Sequence, residues 1–269
     1  MPEQTIPLLL KSLLLLFSVA SFTIYASPEL TCPQPDYSKD LLHQRSSDFS
    51  SLDDWGRHFS YPHSAQLVSD PVNPSNTSLR MTLHQGDVYT TRSGEHFRAE
   101  VYERYRAQFE QPMYYRFKVL IPDEWEFADV RALIAQWHAT PDRHLGEISR
   151  SPNLGIELRN DRFLIRSQTS KLPINEHNKE GMTRIQHFVS KTVKRNHWYT
   201  FEIQVNWTHQ DTGFLRVAIN GKKVVDYQGE TSYHDCLGPY FKMGIYRDDT
   251  PNTFQIYFDD YQRKPLMKR

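Results

Sequence analysis

The sequence has no net charge, few cysteines and few long apolar segments. These absences argue against a nucleic-acid partner, a zinc site and a membrane-spanning domain. Its 269 residues carry 32 Lys or Arg and 32 Asp or Glu, so no overall field attracts a polyanion, and we expect no nucleic-acid partner. Two cysteines without a Cys-x-x-Cys or His-Glu-x-x-His pattern argue against a zinc site. Beyond the N-terminal region, no segment is long and apolar enough to cross a membrane.

The main apolar run lies near the N-terminus and is typical of an export signal. Lys11 precedes the apolar stretch 12–20, and the small residues Ala26 and Ser27 follow a little later. We predict a signal peptide over residues 1–26 and a polar lead-in over residues 27–51, with an uncleaved anchor as the alternative. The mature protein is then secreted or periplasmic and has no stable membrane span.

Two features leave alternatives open. Cys32 and Cys236 can form one disulfide bridge in an oxidising compartment, or stay as two thiols, because a sequence does not fix their separation. The acidic pairs 248–249 and 259–260 can hold a structural calcium ion, but acidic turns are common without one. The metal content is therefore undetermined at this stage.

The rest of the chain, residues 52–269, is predicted to be one domain built from short strands. Polar and apolar residues alternate over 199–207, and Asn220-Gly221 between two strand-like segments is a strong hairpin signal. Helical periodicity is weak apart from an ambiguous stretch at 129–134. Many short strands without intervening helices predict an all-β fold, an antiparallel two-sheet sandwich with a concave groove.

Two segments, 140–153 and 168–196, lack strand character and are predicted to be loops at the groove. From Arg162 through Arg195 there are eight Lys or Arg against two Glu. On a neutral protein, such a local basic stretch can attract a polyanion. The sequence therefore proposes Lys191, Lys194 and Arg195 as substrate-binding residues.

Three segments combine polar, chemically competent residues with apolar neighbours: 98–101, 136–138 and 240–247. Alternate side chains of a strand point to opposite faces, so Gln136 and His138 share one face. By the same rule Lys242 and Tyr246 share a face, and apolar residues alternate with them. Arg98 and Glu100 also share a face, and their apolar neighbours in the sequence point to the other face. We expect Arg98 and Glu100 to form an ion pair.

Cleaving a 4-linked uronate by elimination needs the groups that these faces offer. The C6 carboxylate must be neutralised by hydrogen bonds and positive charge, so that negative charge can grow beside it. A base must remove the C5 proton, and an acid must protonate the O4 leaving group. An amide, an imidazole, a phenol, a lysine and a guanidinium on shared faces match that list.

The three segments resemble the signature motifs of jelly-roll polysaccharide lyases, in which an Arg-x-Glu, a Gln-x-His and a Tyr-Phe-Lys-x-Gly-x-Tyr strand line one groove. Gln136-Trp137-His138 and its frame over 79–87, 151–158 and 244–247 look more like the heparin lyase I and glucuronan lyase group, and alginate lyases carry similar motifs. The resemblance covers about residues 55–258. It implies a β-jelly roll and a carbon–oxygen lyase. We expect a monomer, and the proposed chemistry requires no cofactor.

The resemblance also implies roles. Gln136 and Arg98 look like carboxylate neutralisers, His138 like the family's base or neutralising histidine, and Tyr246 like the catalytic tyrosine. Lys242 looks like a substrate-binding lysine, and Tyr240 and Arg247 of the same segment are proposed as further substrate-binding residues. If H5 and O4 lie on one side of the sugar, Tyr246 serves as both base and acid; if on opposite sides, His138 is the base.

The chain is short and has no further basic cluster built for sulfates, which favours an unsulfated uronan such as glucuronan over heparin, heparan sulfate or alginate. A glycoside hydrolase needs two carboxylates flanking the bond, and Glu147 and Glu157 have no evident partner. A non-catalytic carbohydrate-binding module on the same fold needs the groove but not His138 and Tyr246.

Overall fold

The computed structural model describes Cys32 and residues 44–177 and 181–266. The chain divides after residue 33, and the fold below belongs to the part that follows. The predicted signal peptide and most of the lead-in lie outside the described residues. Within those residues, no helix is both long and apolar enough to span a membrane. Cys32 and Cys236 are each disulfide-bonded, so neither is a free thiol.

The described residues form seventeen strands and two short 3₁₀ helices, at Pro62–Ser64 and Arg143–Leu145. In chain order the strands are β1 (Arg45–Ser47), β2 (Gly56–His58), β3 (Ala65–Ser69), β4 (Thr77–Leu83), β5 (Tyr89–Thr91), β6 (Gly94–His96), β7 (Arg98–Tyr102), β8 (Met113–Leu120), β9 (Ala132–Thr140), β10 (Leu154–Arg159), β11 (Arg162–Ser170), β12 (Met182–Val189), β13 (Trp198–Asn206), β14 (Phe214–Ile219), β15 (Lys222–Gln228), β16 (Leu237–Arg247) and β17 (Phe254–Pro265).

These strands build two large antiparallel sheets and one hairpin. The eight-stranded sheet has the order β15-β14-β13-β8-β17-β4-β3, with β1 also paired to β17. The seven-stranded sheet has the order β12-β11-β10-β9-β16-β7-β2, and β5 pairs with β6 alone. The predicted all-β, two-sheet jelly roll is confirmed.

Aromatic side chains from both sheets fill the space between them. Trp137 of β9 and Phe241 of β16 have ring centroids 5.0 Å apart, and Tyr115 of β8 meets Trp137 edge-on at 5.2 Å. All three are fully buried, and such ring pairs add about 0.5–1.5 kcal/mol beyond their buried area. Because strand side chains alternate, the neighbours of Trp137 and Phe241 are turned to the outer face of the seven-stranded sheet.

Two boundaries differ from the sequence-based prediction. Arg45–Ser47 pairs with β17, and the buried Phe49 stacks on Trp55, so the domain begins before residue 52. The predicted loop 168–196 contains the end of β11 and all of β12, which pair in register from Ser170↔Met182 onward. As an edge strand with half-exposed side chains, β12 lacks the apolar alternation that would have identified it.

A glycine sets the local geometry of β16. Gly244 has φ +138°, and a Cβ there would lie 2.2 Å from the carbonyl oxygen of Ala99 in β7. The pairing with β9 slips between Met243 and Tyr246, as a β-bulge does. The bulge lets β16 approach β7 closely while Tyr246 still faces the outer side of the sheet.

Candidate active site

A groove of about 1140 Å³ runs over the outer face of the seven-stranded sheet. Its floor includes the neighbouring strands β7, β16 and β9, so segments distant in sequence meet there. Six of the residues proposed from sequence line it: Arg98, Gln136, His138, Tyr240, Lys242 and Tyr246. The structure therefore brings together most of the predicted site.

Strand register explains this convergence. In the antiparallel ladders, Gln136 pairs with Lys242, His138 with Tyr240, and Arg98 with Tyr246. Directly paired residues put their side chains on the same face of a sheet, close enough to interact. Three cross-strand pairs thus present the amide, imidazole, phenol, lysine and guanidinium groups on one surface.

The carboxylate of Glu100 is the centre of the buried floor. Its Oε2 lies 3.0 Å from Arg98 Nε and 3.9 Å from Lys242 Nζ, and its Oε1 accepts a hydrogen bond from Gln136 Nε2. The predicted pairing with Arg98 is confirmed. Each of these four side chains is less than a tenth exposed, so Glu100 holds the other three in fixed positions.

When Lys242 is protonated, the buried floor has a net charge of one, because Arg98 and Lys242 are positive and Glu100 is negative. Burial lowers the pKa of Lys242 to about 8, with Glu100 opposing that shift and Arg98 and Arg106 adding to it. Lys242 is therefore charged at neutral pH but close to losing its proton. Two cations against one carboxylate leave a surplus of one charge, which a single incoming anion can balance.

His138 is held as a neutral imidazole. Burial, together with the charge of Lys242, lowers its pKa well below the usual value. Its Nδ1 lies 2.7 Å from the carbonyl oxygen of Ala139, which can only accept, so Nδ1 carries the hydrogen. Nε2 of the neutral ring is then unprotonated and able to accept a proton or a hydrogen bond.

Tyr246 lies among positive charge. The guanidinium carbon of Arg98 is 4.1 Å from its ring centre, and that of Arg131 is 4.8 Å away. Arg131 is in turn fixed by Asp248, whose Oδ1 accepts from Arg131 Nε at 3.1 Å. Such cation–π contacts hold both guanidiniums against the ring of Tyr246.

Sequence reasoning missed Arg131 and also His96, whose ring lies 6.1 Å from that of Tyr246. Both line the groove. Neither has a local signal: Arg131 immediately precedes β9, and His96 ends a hairpin that belongs to neither large sheet. Only their spatial closeness to Tyr246 identifies them.

Four residues proposed as substrate-binding lie elsewhere. Arg247 is buried on the opposite face from Tyr246, and its guanidinium donates to the carbonyl oxygens of Thr250 and His84. Lys191, Lys194 and Arg195 follow β12, where the chain leaves for the other sheet. Within the part of the chain that the structure describes, none of the four lines the groove.

Arg195 shows why charge alone misleads. Its Nη1 donates to three backbone carbonyl oxygens, those of Pro122, Asp123 and Trp125, at 2.7–2.8 Å. The guanidinium thus binds backbone carbonyl oxygens of a turn and not a ligand. The sequence-based proposal that Arg195 binds substrate is therefore corrected, and Lys191 and Lys194 are not among the described residues that line the groove.

The segment 140–153 does rim the groove, as predicted, through Arg143, Ser149 and Arg150 among others. A buried network anchors it. Arg150 pairs with Glu147 at 2.8 Å and with Asp235, and Asn175 accepts from it at 2.7 Å. This rim is therefore fixed by charge-assisted hydrogen bonds.

Acidic groups that could hold a metal ion have protein partners. Asp142, Glu147 and Asp235 offer oxygens within 4.8 Å of one another, and the Arg150 guanidinium binds two of these carboxylates. Of the acidic pairs considered for calcium, Asp248 binds Arg131. Asp260 binds Arg116 at 2.6 Å and Lys118 at 3.0 Å.

Positive charge dominates the groove. Nine of its described lining residues are Lys or Arg, and Glu157 is the only carboxylate in that lining, which does not include the buried Glu100. A neutral protein has thus concentrated cations in one concave surface, which focuses the field on a polyanion. A groove of this charge on a β-sandwich fits an extended anionic polymer.

The comparison with known families agrees. The family model described as "Polysaccharide lyase" matches residues 44–262, and the chain belongs to that family. The resemblance inferred from the motifs is confirmed, and the protein is a polysaccharide lyase. No curated protein sequence gives a significant match.

Solved structures share the fold. An endo-β-1,4-glucuronan lyase from the fungus Trichoderma reesei is 20% identical, with a TM-score of 0.67 over 80% of this chain and 92% of that chain. Alginate lyase A1-II′, of polysaccharide lyase family 7, is 14% identical, with a TM-score of 0.55 over 78% and 86%. Alginate lyase AlyC3 with dimannuronate is 16% identical, with a TM-score of 0.51 over 71% and 76%.

Proposed function

We propose that this polysaccharide lyase cleaves a 4-linked, unsulfated uronan of the glucuronan type by β-elimination, leaving a C4–C5 unsaturated uronate end. The observation that carries the proposal is the charge surplus of the buried floor. Arg98 and Lys242 face one carboxylate, Glu100, so one further carboxylate restores neutrality. A uronan offers one such carboxylate on every sugar.

Carboxylate neutralisation is assigned to Arg98, Gln136 and Lys242. Gln136 gives one amide hydrogen to Glu100 and has a second to offer. Donors already fixed in a buried floor cost little reorganisation when negative charge grows at the sugar. Glu100 acts through them as a positioning residue.

Proton transfer is assigned to Tyr246 and His138. For glucuronate, H5 and O4 lie on the same side of the ring, so Tyr246 can remove the proton and return it to the leaving oxygen. The guanidiniums of Arg98 and Arg131 stabilise its transient negative charge. The neutral His138, with Nε2 as acceptor, assists, and it becomes the base for a sugar of opposite geometry. This chemistry requires no cofactor.

Export belongs to the same proposal. A signal peptide is predicted over residues 1–26, and both cysteines are disulfide-bonded, a state that persists in oxidising compartments. N-terminal sequencing of the protein recovered outside the cytoplasm should give a chain that begins near residue 27. Recovery of a full-length chain from the membrane fraction would favour the uncleaved anchor.

The test is a substrate screen with glucuronan, alginate, heparin and heparan sulfate, followed by the ultraviolet absorbance of unsaturated uronate. We expect the fastest increase with glucuronan. Faster elimination of heparin or alginate would replace the proposed substrate. Binding of a uronan without any absorbance change would favour a non-catalytic module.

A further inference from the structure

One row of paired residues crosses the seven-stranded sheet from the groove floor to the sheet edge. In order across the strands it consists of Lys242, Gln136, Gly155, Arg166 and Gln186, each paired with the next. Paired residues share a face of the sheet, so the row lies along the groove side throughout. It links the candidate active site to β11 and β12.

The far end of this row is a patch of two arginines and two glutamines, which we call the Arg–Gln plate: Arg166, Gln168, Arg184 and Gln186. Arg166 pairs with Gln186 and Gln168 with Arg184 across the strands. Arg166 Nη2 donates to Gln186 Oε1 at 3.0 Å, and Arg184 Nη2 donates to Gln168 Oε1 at 3.4 Å. Since both amide oxygens accept from guanidiniums, both amide NH₂ groups are left to donate.

The plate also has a charge surplus of one. Arg166 is paired with Glu157, whose Oε2 lies 3.0 Å from its Nη1, whereas the exposed Arg184 contacts an uncharged amide. The buried floor has the same balance, with two cations against one carboxylate. A guanidinium beside amide donors is suited to a carboxylate.

Between the buried floor and the Arg–Gln plate the groove is continuous. Gly155 lines the groove at the middle of the row, and it has no side chain. The side chain of Leu133 lies next to it, since a Cβ on Gly155 would be 2.7 Å from Leu133 Cδ2. Because Gln136, Arg166 and Lys242 line the same groove, an extended chain can lie along the row.

The spacing suits a polymer. Strands lie about 4.8 Å apart, so β11 and β12 are roughly 14–19 Å from β16. One sugar residue of an extended chain is about as long as one strand spacing. The Arg–Gln plate and the buried floor are therefore roughly three or four sugars apart. The Arg–Gln plate would then hold a more distant part of the same uronan chain that is cleaved at the buried floor.

We propose that the Arg–Gln plate is a distal subsite that binds the carboxylate of a uronate several sugars from the cleaved bond. The proposal rests on the proposed function and deepens it, because it makes the enzyme select long chains. An exposed charge contact is worth up to about 1 kcal/mol, or about fivefold in affinity.

The experiment compares Arg184→Gln with wild type on oligoglucuronates. We expect the ratio of octasaccharide to trisaccharide kcat/KM to fall about fivefold at low salt, and less at high salt because of screening. Arg216→Gln is the matched control: it removes the same charge from the outer face of the other sheet and should leave the ratio unchanged. An unchanged ratio in Arg184→Gln overturns the plate.

A binding measurement separates this proposal from the proposed function. Calorimetry with octaglucuronate in a Tyr246→Phe background reports the plate without turnover. Lower affinity in Arg184→Gln together with an inactive wild type would overturn the lyase assignment to uronans and support the plate. Unchanged affinity with an active wild type would overturn the plate alone.

Discussion

The ammonium group of Lys242 lies 3.9 Å from the carboxylate of Glu100, and both side chains are almost fully buried. Neither charge would be tolerated there alone, because water cannot solvate it. The pair, with Arg98 beside it, therefore keeps a charged floor inside a β-sheet. The first two predictions follow from this relationship.

Replacing Glu100 with Gln should lower both stability and turnover. Removing one partner of a buried charge cluster leaves Arg98 and Lys242 uncompensated, at a cost of about 3 kcal/mol in the free energy of unfolding. Urea unfolding measures that cost. Glu124→Gln, at an exposed position, should change it by less than about 0.5 kcal/mol. A Glu100→Gln protein as stable as wild type would show that the floor relaxes around the lost charge.

Binding should weaken as the pH rises through about 8. Below that value Lys242 is protonated and attracts the uronate carboxylate, and above it the charge is lost. The alkaline fall in kcat/KM should shift to higher pH in Lys242→Arg, since a guanidinium keeps its charge. A pH profile of KM for both proteins tests this. Identical alkaline limbs would assign the fall to another group.

Tyr246→Phe removes one hydroxyl and keeps the ring against Arg98. Turnover should fall by about 10²–10⁴, the contribution of a positioned acid–base group, while KM changes little. Tyr114→Phe is the control, because that hydroxyl binds Glu202 on the other sheet. Elimination at near wild-type rate by Tyr246→Phe would remove Tyr246 from the mechanism.

Gly244→Ala should distort the site through the backbone. The added Cβ would overlap the carbonyl of Ala99, and φ +138° is strained for alanine, so we expect a loss of at least about 2 kcal/mol in unfolding free energy. Gly221→Ala has positive φ but open space and should cost about 1 kcal/mol. Thermal unfolding of both variants gives the comparison, and equal losses would mean that the β7 contact does not matter.

The sequence by itself determined which residues share a strand face. Trp137 lies inside, and Gln136 and His138 lie outside, because alternation in a strand is local and needs no knowledge of its neighbours. The same rule placed Lys242 and Tyr246 on the groove side. The motif resemblance then indicated the family and the fold.

Only the tertiary structure decided which strands lie side by side and which charged side chains are already bound to other groups of the protein. Register sets Gln136 against Lys242 and Gly155 against Arg166, and it depends on packing between residues far apart in sequence. Arg195 looked available as a charge, yet it is bound to backbone carbonyls, because long side chains find partners that only a folded chain provides. Arg131, just before β9, reaches Tyr246 of β16 for the same reason, because β9 and β16 are neighbours in space.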